Sequence, residues 1–109
     1  MVEKSVLSTV RKYLKAVAGK GIPVKAGVVF GSHATGKKHE WSDIDLLVIS
    51  PLFDTKYKRT DIDLLWHTAA EVDSRIEPIA VGEKQYQENN DSYVIFEARR
   101  DGEFIPLAE

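Results

Sequence analysis

Two apolar runs, residues 24–30 and 46–49, flank a polar stretch that begins Gly31-Ser32 and ends Asp43-Ile44-Asp45. Both runs are short and dominated by valine, leucine and isoleucine, and turn-forming residues bound them, which predicts buried strands. The second expected strand spans 43–49, and Ser50-Pro51 stops it. Side chains alternate across a strand, so Asp43 and Asp45 share one face, roughly 6.5–7 Å apart along it. Two carboxylates at the mouth of a hydrophobic strand are costly to bury unpaired, and a divalent cation is one way to satisfy both. Gly31 lets the backbone turn sharply, and Ser32 with the amides that follow it would form a helix-start nest suited to phosphate. A phosphate cradle beside cation-holding carboxylates is equipment for phosphoryl or nucleotidyl transfer.

The pattern Gly-Ser, ten intervening residues, then Asp-x-Asp resembles the signature of the DNA polymerase beta-type nucleotidyltransferase superfamily. The short chain resembles its smallest members, the minimal nucleotidyltransferases. That resemblance implies Ser32 on the nucleotide phosphates, Asp43 and Asp45 as magnesium ligands, and a third carboxylate on a later strand. Glu77, the only acidic residue inside the expected third strand (75–81), is the candidate for that carboxylate. Its other reading is an exposed edge-strand side chain, with Asp73 at the end of the preceding helix as the competing ligand. The superfamily usually has aspartate at this place, and many relatives have arginine where Thr35 stands. Lys37 or Lys38 can substitute for that arginine. The nucleotide-binding set is then Gly31, Ser32, Lys37 and Lys38. The catalytic set is Asp43, Asp45 and Glu77, which would hold two Mg2+ ions on a triphosphate, ATP being the expected substrate. The minimal family is commonly paired with a small all-helical HEPN-type ribonuclease toxin, and some members add AMP to that partner. The resemblance therefore implies an antitoxin that adenylylates a hydroxyl of a partner protein.

With 109 residues, the chain is expected to form one domain (1–109) with one hydrophobic core. A net charge of −2 offers no general polyanion-binding surface, so nucleic acid is not the expected partner. The absence of cysteine excludes disulfides, thiolate zinc sites and cysteine nucleophiles. No signal-peptide apolar region and no run of membrane-spanning length is present, which makes a cytoplasmic location the simplest expectation.

Taken in order, Val2, Val6, Val10, Tyr13, Leu14 and Val17 recur at helical spacing, with Lys4, Arg11, Lys12 and Lys15 off that stripe. The basic surface reads as a solvated helix face, or as a surface for a partner or RNA. Gly19-Lys20-Gly21 and Pro23 should end the helix. His33 reads as exposed in a polar loop, though within reach of a bound nucleotide. Lys37, Lys38 and His39 read either as a charged loop or as counter-charge for a triphosphate. Residues 52–60 read as a polar, basic loop entering a helix. Asp61-Ile62-Asp63-Leu64-Leu65 repeats the earlier Asp43–Leu47 pentapeptide letter for letter. Its continuation, however, puts Ile62, Leu65, Trp66, Ala69 and Val72 on one helical stripe. On a helix, residues two apart diverge by about 200°, so Asp61 and Asp63 suit a helix N-terminus rather than a shared cation. Pro78 cannot donate a ladder hydrogen bond and marks an edge strand or bulge. Residues 82–90 read as polar, with Asn89-Asn90-Asp91 as a break, Ser92 as a cap, and 93–100 as a short helix with Ile95 and Phe96 facing inward. Asp101-Gly102 then turns the chain into a last extended piece, 103–107.

The expected architecture is α/β (α+β), a small mixed β-sheet with helices packed against it. Gly31 closes one strand and Asp43 opens the next, so both reach the same end only if those strands run antiparallel. Against the transferase reading stands a non-catalytic one, in which the same fold masks a toxin, and an RNA-binding one, which the charge and the lack of aromatic–basic interleaving disfavour.

Overall fold

The computed structural model describes residues 2–36, 42–88 and 91–107, so Lys37, Lys38 and His39 lie outside the described residues. The elements are α1 (Lys4–Gly19), β1 (Ala26–Phe30), α2 (Ser32–Thr35), β2 (Ile44–Ile49), a 3-10 turn (Pro51–Asp54), α3 (Arg59–Val72), β3 (Ile76–Val81), α4 (Glu83–Gln87), α5 (Tyr93–Asp101) and β4 (Glu103–Pro106).

The strands form one mixed sheet in the order β3-β2-β1-β4. β1 runs antiparallel to β2 and β4, and β2 runs parallel to β3. β1 and β2 are the inner strands, and Pro78 sits in the edge strand β3, where a missing donor is tolerated. Alternation sorts their side chains to two faces. Val29, Leu46, Val48, Ile76 and Ile105 pack with the stripe of α1 (Val6, Val10, Tyr13, Leu14, Val17) and with Leu65 and Ala69 of α3. Ala26, Val28, Phe30, Leu47, Ile49 and Val81 pack on the other face with Ile95 and Ala98 of α5. The inner strands are therefore apolar on both sides, which is why they read as continuous runs. Lys4, Arg11, Lys12 and Lys15 are all exposed. Tyr13 crosses between the two helices of its layer, its hydroxyl donating to the Leu65 carbonyl at 2.9 Å, and burial pushes that phenol far up.

Three local expectations fail for physical reasons. Trp66 is 47% exposed, because the buried side of α3 centres on Leu65, Thr68 and Ala69, one step round the helix. Thr68 can be buried there because its hydroxyl donates to the Leu64 carbonyl (2.7 Å) and accepts from Lys20 Nζ (3.0 Å). Phe96 is 50% exposed for the same geometric reason: Ile95 and Ala98 take the inward positions. It lies instead against Tyr93 and under the Arg100 guanidinium, 5.2 Å from the ring centre. The polar stretch after β3 is a helix, α4, whose first amides are capped by Asp54 from the 3-10 turn. Among the described residues no helix is long and apolar enough to cross a membrane.

Candidate active site

The antiparallel register pairs Phe30 with Asp45, so the end of β1 and the start of β2 meet at one end of the sheet. Gly31 follows immediately, with φ 73° and ψ −147°, a combination open essentially to glycine alone. Its missing side chain is also needed sterically: a Cβ at Gly31 would collide with Oδ2 of Asp45. Glycine thus lets the turn and the carboxylate occupy adjoining space.

Ser32 opens the single turn of α2, which Gly36 ends in the left-handed conformation. The amides of Ala34 and Thr35 bond back to the Gly31 carbonyl at 3.1 Å. Those of Ser32 and His33, at the start of the turn, have no acceptor within the helix, as helix geometry requires. Thr35 does not replace an arginine: its hydroxyl lies 3.3 Å from the Gly31 carbonyl.

The parallel register of β2 and β3 pairs Asp45 with Glu77, bringing the third expected carboxylate level with the second. Asp43, just before β2, is exposed, while Asp45 and Glu77 are half-buried. The neighbouring Asp43 carboxylate, burial and the charge of Asp45 raise the Glu77 carboxyl above the usual range. Burial also raises Asp45, reinforced by the charges of Asp43 and Glu97 and opposed by His33. Like charges gathered this closely repel one another, and a divalent cation between them offsets that repulsion. The donor set therefore fits a hard cation, although among the described residues no three such side chains form a finished cation cage.

The competing candidates are engaged elsewhere. Asp73 pairs with Arg75 (Oδ2 to Nη2, 2.8 Å), whose hydrogen bonds hold its carboxyl below the usual range. Asp61 accepts from the Lys58 amide at 2.9 Å and so closes the N-terminus of α3. Asp63 is exposed on α3, which packs on the sheet face opposite to that of α5.

Two residues near the site were not legible in the sequence. His33 is not an exposed loop residue; it is 2% exposed, with Nε2 3.0 Å from the Ser42 carbonyl oxygen. A helix of one turn shows no period that would reveal an inward side. Glu97 reaches Asp45's surroundings from α5, a placement that depends on tertiary packing alone.

Comparison with known proteins agrees with this geometry. Residues 8–102 match the family described as nucleotidyltransferase domain, and the chain belongs to that family. No curated protein matches the sequence. Among solved structures, a protein from Sulfolobus solfataricus assigned as a nucleotidyltransferase is similar over 90% of this chain and 77% of its own, with a TM-score of 0.63 and 17% identity. A toxin–antitoxin structure with AMP-PNP is similar over 86% of this chain and 70% of its own, with a TM-score of 0.60 and 20% identity. A mutant form of the MntA–HpeT toxin–antitoxin is similar over the same shares, with a TM-score of 0.58 and 16% identity. At these identities the likeness establishes the fold, which is the nucleotidyltransferase fold.

Proposed function

We propose that this protein is a metal-dependent nucleotidyltransferase that moves AMP from ATP to a hydroxyl of a partner protein, as the antitoxin of a pair whose toxin is a small helical HEPN-type protein. The observation that carries the reading is the meeting of Asp43, Asp45 and Glu77 at the end of the sheet where Gly31 and Ser32 turn. Family membership supports the reaction class, and the structural neighbours with AMP-PNP and in toxin–antitoxin complexes support the nucleotide and the partner.

In this reading Ser32 and the first amides of α2 receive the triphosphate, with Lys37 and Lys38 as its counter-charge. Asp43, Asp45 and Glu77 hold magnesium, expected as two ions. Bound there, the metal neutralises phosphate charge and lowers the pKa of the attacking hydroxyl. The acceptor oxygen bonds to the α-phosphorus, the bond to the bridging oxygen breaks, and pyrophosphate leaves. The hydroxyl proton passes to the carboxylate cluster.

Co-expression with the neighbouring gene's product followed by mass spectrometry tests this. An AMP-sized mass increase on the partner that disappears with Asp43→Asn is the expected result. A second reading, an antitoxin that acts by masking, draws on Thr35, whose hydroxyl is turned to the Gly31 carbonyl and supplies no cation. Association without modification, in magnesium and ATP, would replace the first reading by the second.

A further inference from the structure

Among the described residues three polar side chains are buried: Ser50, Thr68 and His33. Ser50 caps the 3-10 turn by accepting from the Leu52 amide, and Thr68 bonds within its own helix and to Lys20. Both have local explanations. His33 has no such bond within its own turn; its hydrogen bond runs from α2 to the residue directly before Asp43.

A carbonyl oxygen can only accept, so Nε2 of His33 carries the proton and donates to Ser42. The other ring nitrogen, Nδ1, is buried and without a hydrogen-bond partner among the described residues. A leucine would fill similar volume without leaving a buried nitrogen unpaired, an omission that is costly. The advantage of histidine here is the bond it makes. That bond lies where the ladder no longer acts. The last β1–β2 pair is Phe30 with Asp45, and both Ser32 and Asp43 lie beyond it.

We infer that His33 is a positioning residue: its Nε2–H···O=C bond to Ser42 joins the Ser32 turn to the Asp43–Asp45 segment and fixes the separation between the phosphate-receiving and cation-holding groups. The inference rests on the transferase reading for what is being positioned. The strut itself is a statement about structure and is tested separately. Pre-arranging both sets of groups matters because misplacement of reacting groups by about 1 Å can cost ~100-fold in rate.

The test compares His33→Leu with His33→Gln, whose side-chain amide can place a donor near the position of the ring Nε2. In His33→Leu, amide hydrogen exchange in residues 32–36 and 42–45 should accelerate about tenfold, with α1 and the centre of the sheet unchanged. Magnesium–ATP affinity should fall by a similar, roughly tenfold, factor, and His33→Gln should recover most of both losses. Long-range proton–nitrogen NMR on the wild type should show the Nε2–H tautomer. A Nδ1–H tautomer, unchanged exchange in His33→Leu, or a His33→Gln variant no better than His33→Leu would overturn the strut. If His33→Leu fails to fold, the tautomer and the His33→Gln exchange pattern still decide. Failure of the wild type to bind magnesium–ATP would instead remove the transferase reading, leaving exchange and tautomer to judge the strut alone.

Discussion

Gly31 and Glu77 would serve the proposed site in two different ways. Gly31 works by what it lacks, since its backbone angles exclude side chains and its missing Cβ is the space taken by Asp45's carboxylate. Gly31→Ala should destabilise the fold by about 1–3 kcal/mol in urea unfolding, the usual cost of forcing a non-glycine residue into this region. It should also remove magnesium-dependent nucleotide binding, because Asp45 must move. An alanine variant that binds as well as wild type would separate Asp45 from the site. Glu77 works by charge. Glu77→Gln keeps shape and hydrogen bonding but loses a ligand, and should slow transfer by at least ~100-fold while weakening nucleotide binding much less. Full transfer activity in that variant would reassign the third carboxylate. The pairing of Asp45 with Glu77 agrees with the third carboxylate that the family resemblance implied, and Glu77 was the candidate as the single acidic residue in the third strand. His33 and Glu97 were not readable, since each is defined by what packs against it.

At the scale of elements, the strands, the long helices and the short α5 were legible for one reason and α4 illegible for another. β1, β2 and α1 carry their own apolar pattern, so sequence periodicity and tertiary burial coincide. α4 has no buried residue and only five positions, too few for a helix to be stable alone. It exists because Asp54, thirty positions earlier, accepts from the amides of Lys84 (2.9 Å) and Gln85 (3.2 Å). Asp54→Ala should therefore cost about 0.5–2 kcal/mol of local stability, seen as faster hydrogen exchange confined to residues 82–88. Uniform acceleration across the sheet, or none, would mean that α4 is held by something other than this cap. Trp66 and Phe96 failed differently: periodicity gave both helices and most of their inward residues, Leu65, Ala69 and Ile95 among them, but drew the stripe one residue too wide.

For the whole molecule, acidic side chains on the inner strand β2 and the edge strand β3 make the apo fold and the loaded fold answer to opposite electrostatics. Asp45's carboxyl holds its proton more tightly folded than unfolded, being raised above its ordinary value of 3.8. The folded state therefore binds more protons, and stability falls as pH rises through the raised value. This cost is absent below the ordinary value, where both states are protonated, and complete once both are ionised. Asp73 is shifted the other way by Arg75, but it is common to wild type and to Asp45→Asn and cancels in their difference. Without metal, Asp45→Asn should thus melt above wild type at pH 7, the gap closing as pH falls below about 4. Magnesium and ATP should reverse that order. A ligand present at about 100 times its Kd adds about 2.7 kcal/mol to the protein that binds it, at ~4–8 °C per kcal/mol for a domain of this size. Wild type should gain that shift and Asp45→Asn should not, so the two melting curves exchange places on loading at pH 7. Asp61→Asn, which alters the letter-for-letter copy of the motif on α3, should shift with ligand as wild type does. If magnesium and ATP leave the order of the curves unchanged, the carboxylates of β2 do not hold the nucleotide's metal.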